Sequence, residues 1–193
     1  MPKPSRLCYY TRTVEKYAKD NRNHALLTLV HAFITSRVDY CNAVLYGVTG
    51  YVLRRLQSVL NAAARLITGV CRYEHITPTL RDTLHWLPVP QRITFKIALT
   101  VFDCARGRCP AYFSDICVPV PVHSVAGRSR LRSADHGDLI VPRVQTQRYG
   151  SRSFRVSGPT VWNSLPQNLR SSDISREQFK RGLKTWLFER AYV

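Results

Sequence analysis

Acidic residues are scarce in this chain of 193 residues. It has 12 Asp and Glu against 29 Lys and Arg, which gives a formal net charge of +17 at pH 7. The acidic residues stand singly, so no adjacent aspartate pair is available to hold the two divalent metals of a metal-dependent polymerase. Glycine-rich phosphate loops, Gly-x-Ser-x-Gly turns and His-Glu-x-x-His pairs are missing too. We therefore expect no enzymatic activity from this chain on its own.

Long apolar segments are also missing. A helix needs about 20 apolar residues to span a bilayer, and the run Leu26–Ile34 is much shorter and contains His31. The start of the chain, Met1–Pro4, is basic but is followed by neither the apolar segment nor the cleavage site of a signal peptide. These features predict no membrane partner and a location in the nucleus and cytoplasm.

Six cysteines are present, and without an export signal we expect them to be buried, reduced thiols. A zinc site formed by Cys104, Cys109, Cys117 and His123 is the alternative, because three thiolates and an imidazole can complete a tetrahedron. The first spacing is loose for such a site, and prolines hold the chain extended before His123. The prediction is therefore a chain with no metal or other cofactor.

The excess of basic residues predicts a polyanionic partner, with RNA, DNA or their hybrid as the first candidate. An anionic membrane surface or a solvated basic shell would fit the same charge. Arginine outnumbers lysine in the second half of the chain, and its planar guanidinium matches two phosphate oxygens at once.

The clearest predicted element is an amphipathic helix over Tyr51–Thr68, followed by Gly69 as a C-terminal stop. Its apolar residues form one continuous arc and its polar residues another. This pattern fits a core helix with a solvated outer face, and it also fits a helix that lies along a phosphate backbone. Under the second interpretation the candidate contacts are Arg54, Arg55, Gln57, Asn61 and Arg65.

Other helix starts are marked by local signals. Helical spacing begins at Asn23, and Ser36–Asp39 reads as a capping box that opens a second helix ending near Gly47. Proline marks three later starts, and Ser175–Gln178 is a further capping box that opens the final helix. Trp86 is expected in the core rather than as a base-stacking platform. The three prolines that mark predicted helix starts are Pro78, Pro90 and Pro110.

The chain changes character after Pro119. Leu139–Val141 and Phe154–Val156 are predicted strands, broken by proline and glycine, and helicity is expected to return only after Pro159. Arg128, Arg130 and Arg132 alternate with other residues, so in an extended strand their three side chains would point to the same side. A soluble loop is the alternative. The candidate phosphate contacts here and in the final helix are Arg128, Arg130, Arg132, Arg143, Arg148, Arg152, Arg155, Lys180 and Lys184.

These elements predict a mainly α fold in which a helical bundle precedes a mixed α/β, arginine-rich C-terminal extension. We expect a basic N-terminal segment at residues 1–22, a helical domain at 23–117, an arginine-rich segment of loops and short strands at 118–158, and a helical segment at 159–193.

Four stretches of the sequence stand out: Val30–Asn42 with Leu45–Gly47; Leu56–Ile67; Tyr73–Pro78 with Leu84–Val89; and Tyr149–Gly150, Ser153–Phe154, Gly158–Pro166 and Phe179–Leu187. In that order they resemble the region downstream of the palm in LINE-type (non-LTR) retrotransposon reverse transcriptases. The resemblance covers nearly the whole chain from about Asn23, and its Leu-His-Trp-Leu-Pro and Trp-Asn-Ser-Leu-Pro strings are quite specific.

The resemblance implies that residues of roughly 23 to 75 correspond to thumb helices that clamp a template–primer duplex, and that the remainder corresponds to a C-terminal extension. The family's catalytic aspartates have no counterpart in this sequence. Polymerase activity and its divalent metal would then belong to an upstream palm and fingers, which become expected partners. A non-enzymatic basic module that docks proteins, and a truncated element copy without function, are the alternatives.

Overall fold

The computed structural model describes residues 23–113, 116–119, 137–144, 146 and 149–192. These residues divide into two compact units. One unit comprises 23–42, Val48–Arg92 and Tyr192, and the other comprises Ala43–Gly47 and Ile93–Ala191. The division between Arg92 and Ile93 falls inside a helix and within the predicted 23–117 domain. None of the described helices is both long and apolar enough to cross a membrane.

The first unit begins with a nearly continuous helical run, α1 (Asn23–Val30), a π-turn (His31–Thr35) and α2 (Ser36–Asp39). Its residues Leu26, Val30, Ile34 and Val38 are buried, and their spacing of four places them on one face. The long helix α3 (Gly50–Thr68) and a π-turn (Thr79–Thr83) follow. The core is completed by buried residues of these two elements, Leu60, Ala63, Ala64 and Leu80, and by Trp86 and Val89, which follow them in the chain.

Helix α3 forms as its amphipathic pattern predicts. Thr49 precedes it in extended conformation, and Gly69 ends it with φ +70°, the left-handed conformation that favours glycine. The Gly69 amide donates to the Arg65 carbonyl at 2.8 Å and so satisfies one of the last carbonyls of the helix. The predicted helix and its glycine stop are confirmed.

The second unit contains most of α4 (Val89–Ala105), then α5 (Phe154–Asn163), α6 (Gln167–Arg170) and α7 (Arg176–Tyr192) up to Ala191. Short 3₁₀ turns lie at Asn42–Leu45, Ala111–Phe113 and Gly150–Arg152. The core is built on aromatic rings. Phe102 and Phe179 stack at 4.3 Å between centroids, and Trp162 lies 6.0 Å from Phe179. The buried aliphatic residues of this unit include Ile97, Val101, Val161, Leu165 and Leu183.

The backbone of residues 137–139 in the second unit is hydrogen-bonded to side chains of α5. The Trp162 indole N–H donates to the Gly137 carbonyl at 3.0 Å. The Asn163 amide makes two bonds with Leu139: its Oδ1 accepts from the Leu139 amide at 2.8 Å, and its Nδ2 donates to the Leu139 carbonyl at 2.9 Å. Leu139 is buried, so these bonds satisfy backbone groups that water reaches poorly.

The mainly α prediction is confirmed, but the mixed α/β extension is wrong for the described residues. Phe154–Val156 starts α5, because the Ser157 amide bonds to the Ser153 carbonyl at 2.9 Å and the first turn closes. Leu139 forms only an isolated bridge with Pro119, and no strand occurs among the described residues. Helix α5 therefore begins before Pro159 and carries that proline inside it.

The two capping boxes have opposite outcomes. At α7 the prediction is confirmed: the Gln178 amide donates to Ser175 Oγ at 3.3 Å, and the Ser175 amide donates to Gln178 Oε1 at 2.8 Å. At Ser36 it is wrong, because the π-turn carries the helix through Thr35 and no side chain caps a new start. The Ser36 hydroxyl donates back to the Ala32 carbonyl instead. The predicted helix reaching Gly47 is also wrong, since α2 ends at Asp39.

Candidate nucleic-acid interface

Helix α3 presents one exposed face in the first unit, which we call the α3 outer face. At about 100° per residue its members fall within one arc opposite the buried Leu60. The side chains of Arg54 and Arg55 are exposed, and Arg65 is half-buried. From Arg54 to Arg65 the face extends about 16 Å along the helix axis, at ~1.5 Å per residue. Its members are Tyr51, Arg54, Arg55, Ser58, Ala62 and Arg65.

Two arginines of this face keep their charge available. Neither Arg54 nor Arg55 forms an ion pair within the described residues. The guanidinium carbon of Arg55 lies 5.5 Å from the centre of the Tyr51 ring, one helical turn earlier. This cation–π contact orients Arg55 without neutralising it.

Two other predicted contacts of α3 are engaged inside the unit. Gln57 Oε1 accepts the Val89 amide at 2.9 Å, and Gln57 Nε2 donates to Asn61 Oδ1 at 2.9 Å. Both side chains are half-buried. Gln57 therefore satisfies the first amide of α4, and both residues flank the α3 outer face rather than form its centre.

Arg65 ties a loop to the end of α3. Its Nη2 donates to the Glu74 carbonyl at 2.9 Å, and its Nε to the Cys71 carbonyl at 3.4 Å. Carbonyl oxygens carry no net charge, so the guanidinium is fixed in position while its positive charge persists. Arg65 thus has a structural role whether or not it contacts phosphate.

Internal ion pairs neutralise a different set of basic residues. Asp82 lies 2.7 Å from Arg81, Asp39 pairs with Arg92 at 2.8 Å, and Asp103 holds both Nε and Nη2 of Arg176 at 2.8 Å. Asp138 pairs with Arg170, and Glu177 with Lys180 at 2.9 Å. Among the predicted contact residues that the structure describes, Lys180 alone has an acidic partner.

The predicted contacts of the second unit differ in their surroundings. Arg143, Arg155 and Lys184 are exposed, with no ion pair among the described residues. Arg152 is half-buried, and its Nε donates to the Tyr46 carbonyl at 3.3 Å. Its guanidinium carbon also lies 6.0 Å from the centre of the Tyr149 ring. The remaining predicted contacts, Arg128, Arg130, Arg132 and Arg148, lie outside the described residues.

Exposed tyrosines beside arginines were missed by the sequence reasoning. Tyr51 and Tyr149 are both largely exposed, and each carries a guanidinium over its ring. The sequence signal that could have indicated these pairs is the spacing of tyrosine and arginine, four residues for Tyr51 and Arg55 and three for Tyr149 and Arg152. Trp86, by contrast, is 7% exposed, which confirms its expected place in the core.

The cysteines considered for zinc lie in part among the described residues. Cys104 Sγ is 3.0 Å from Cys109 Sγ, and Cys117 is buried nearby, whereas His123 lies outside the described ranges. No group of three or more potential ligands with the arrangement of a metal site occurs in the described parts of the chain. Burial, reinforced by the neighbouring thiols, raises the pKa of Cys104, and burial also raises the pKa of Cys117.

These pKa shifts predict unequal alkylation. The thiolate is the reactive form, and each unit of pKa increase lowers its fraction about tenfold at neutral pH. Cys41 and Cys71 are exposed, so the expectation of buried thiols is wrong for these two. They should react with iodoacetamide at least about ten times faster than Cys104 and Cys117, because burial also limits access to the latter pair. Peptide mapping by mass spectrometry over a time course measures this. Equal rates for Cys104 and Cys71 would contradict the described packing.

Comparison of the chain with protein-family models, curated proteins and solved structures found no match.

Proposed function

We propose that this chain is a nucleic-acid-binding module that grips a template–primer duplex through phosphate contacts. In this proposal it forms the thumb and C-terminal extension of a LINE-type reverse transcriptase. It has no catalytic activity by itself, and the metal chemistry belongs to an upstream palm. The observation that carries the proposal is the α3 outer face, where exposed arginines without acidic partners share one side of a rigid helix.

The distribution of charge supports phosphate as the ligand. Five acidic residues in the described ranges are consumed by internal pairs, so their charges do not offset the α3 outer face. The whole chain keeps an excess of 17 positive charges. A surface of this kind attracts polyanions over roughly a Debye length, about 8–10 Å at physiological salt.

The shape of the face supports a backbone contact that does not read sequence. A helix of 19 residues holds its arginines at fixed spacing, and guanidinium groups bind phosphate oxygens in pairs. Contacts to phosphate position a duplex without distinguishing its bases. This is what a clamp on a growing duplex requires, because the sequence that passes through it changes continuously.

The test is a salt titration of the full chain against an RNA duplex, a DNA duplex and an RNA–DNA hybrid. If Arg54, Arg55 and Arg65 each neutralise one phosphate, log K should fall against log salt with a slope of about −2.7 or steeper on duplex DNA. Comparison of the three probes gives the preferred duplex. A flat salt dependence would contradict phosphate binding.

The alternative function is a module that docks another protein. A second experiment distinguishes it from nucleic-acid binding. Charge reversal at Arg128, Arg130 and Arg132 should weaken nucleic-acid retention if those residues contribute phosphate contacts. Unchanged retention together with loss of a protein partner would favour docking.

A further inference from the structure

A tyrosine and an arginine form a prepared surface in the second unit, which we call the Tyr149 platform. Tyr149 is 74% exposed, whereas Phe102, Trp162 and Phe179 of the same unit are buried in its core. Arg152 lies over the ring at 6.0 Å, near the outer limit of a cation–π contact. One face of the ring is thus covered by a cation, and the exposed fraction of the side chain leaves area for a flat ligand.

The arginine of the platform is held by two features of the Tyr46–Gly47 stretch. Arg152 Nε donates to the Tyr46 carbonyl at 3.3 Å. Its side chain crosses Gly47, where an added Cβ would lie 2.9 Å from Arg152 Cγ. Gly47 has φ +69°, so the same position needs glycine for its backbone and for the space that the arginine occupies.

The tyrosine rests on an equally tight support. A Cβ added to Gly150 would overlap the Val144 side chain and lie 2.6 Å from Thr146 Oγ1. The 3₁₀ turn Gly150–Arg152 then closes with the Arg152 amide donating to the Tyr149 carbonyl at 3.2 Å. The backbone beneath Tyr149 is therefore closely packed, while its ring is open to solvent. Such an arrangement limits the entropy lost when a ligand stacks on the ring.

We infer that the Tyr149 platform binds an unpaired nucleobase of single-stranded RNA or DNA by stacking. Every base has a flat π-face, so an aromatic ring beside an arginine accepts any base, and the guanidinium is placed to attract the neighbouring phosphate. Bases inside a duplex are already stacked and cannot use the ring. This inference rests on the proposed function and extends it from the duplex to the single strand that adjoins it.

The experiment measures binding of the full chain to a single-stranded 12-mer, made as RNA and as DNA, with 2-aminopurine as a reporter of stacking. Tyr149→Leu should weaken this binding about tenfold, because it removes the aromatic ring on which one base stacks. Tyr149→Phe should bind as the unaltered chain does. An abasic 12-mer should not distinguish Tyr149→Leu from the unaltered chain, and neither should an RNA–DNA hybrid duplex.

Tyr73→Leu is the matched control. Tyr73 is 91% exposed, and no guanidinium lies over its ring within the described residues. A thermal melt of each variant verifies folding, which an exposed tyrosine should not affect. Equal losses for Tyr73→Leu and Tyr149→Leu, or no loss for Tyr149→Leu, would overturn the platform. If salt-dependent duplex binding persists in that case, the proposed function stands. If the unaltered chain binds no probe, both fail.

Discussion

Replacing Phe179 by alanine is expected to destabilise the second unit by about 3–5 kcal/mol, the usual cost of removing a fully buried phenylalanine. Phe179 is 0% exposed and stacks on Phe102 at 4.3 Å, with the Trp162 ring 6.0 Å away. The substitution removes the ring that these aromatic contacts share, and α4, α5 and α7 cannot easily close the space. Urea denaturation followed by circular dichroism measures the change in the free energy of unfolding.

Ile140→Ala is the matched control, because Ile140 lies in the same unit and is 45% exposed. Its substitution should cost less than about 1 kcal/mol, since nearly half of the side chain is already in contact with water. If Phe179→Ala cost no more than this control, the aromatic stack would not be the centre of the core.

Replacing both Arg54 and Arg55 by glutamine is expected to lower duplex affinity by about 60-fold at about 0.1 M salt. Each phosphate contact contributes about 0.9 to the salt slope on duplex DNA, so two lost contacts reduce the slope by about 1.8. If the electrostatic contribution vanishes near about 1 M salt, the affinity ratio at about 0.1 M is about 10 to the power 1.8. Titration by fluorescence anisotropy at several salt concentrations gives both quantities.

Arg81→Gln is the control for net charge. Arg81 belongs to the same unit and is exposed, but its guanidinium is engaged by Asp82 at 2.7 and 3.1 Å. Arg81→Gln should change the salt slope by less than half of the average change that each substitution at Arg54 and Arg55 produces. An equal change per residue would mean that the duplex responds to total charge, and the α3 outer face would lose its special role.

The sequence predicts the helices whose apolar period agrees with their end signals. Helix α3 is the clearest case, because its apolar arc and Gly69 independently indicate the same element. The start of α7 is comparable, since Ser175 and Gln178 form both bonds of the capping box. Local chemistry is sufficient at these places because the tertiary contacts support the same conformation.

Predictions failed where a short signal competed with packing. Phenylalanine and valine are common in strands, but in Phe154–Val156 they begin a helix that buries Val161 and Trp162 farther along. The preference of single residues for strands is weak, and burial of an adjacent helical face outweighs it. Ser36 likewise offers a capping hydroxyl, but the preceding helix continues through the π-turn. Sequence alone does not reveal that continuation.

The candidate interface was predictable in its charge but not in its hydrogen bonds. Placing residues on a helix wheel identified Arg54 and Arg55 as outward-facing. It also grouped Gln57 with them, although Gln57 bonds Val89, a residue 32 positions later in the chain. A contact across such a separation depends on how two helices pack, which the period of a single helix does not encode.

The two hydrogen bonds between the Asn163 side chain and the Leu139 backbone determine where this part of the chain tolerates mutation. Both bonds use the backbone of Leu139, so any residue that fits the apolar space at that position keeps them. At position 163 an aspartate would lose the donor and place a negative charge beside the Leu139 carbonyl, and a leucine would leave both backbone groups unsatisfied. Evolutionary drift should therefore be slow at 163 and comparatively free at 139 within the apolar residues.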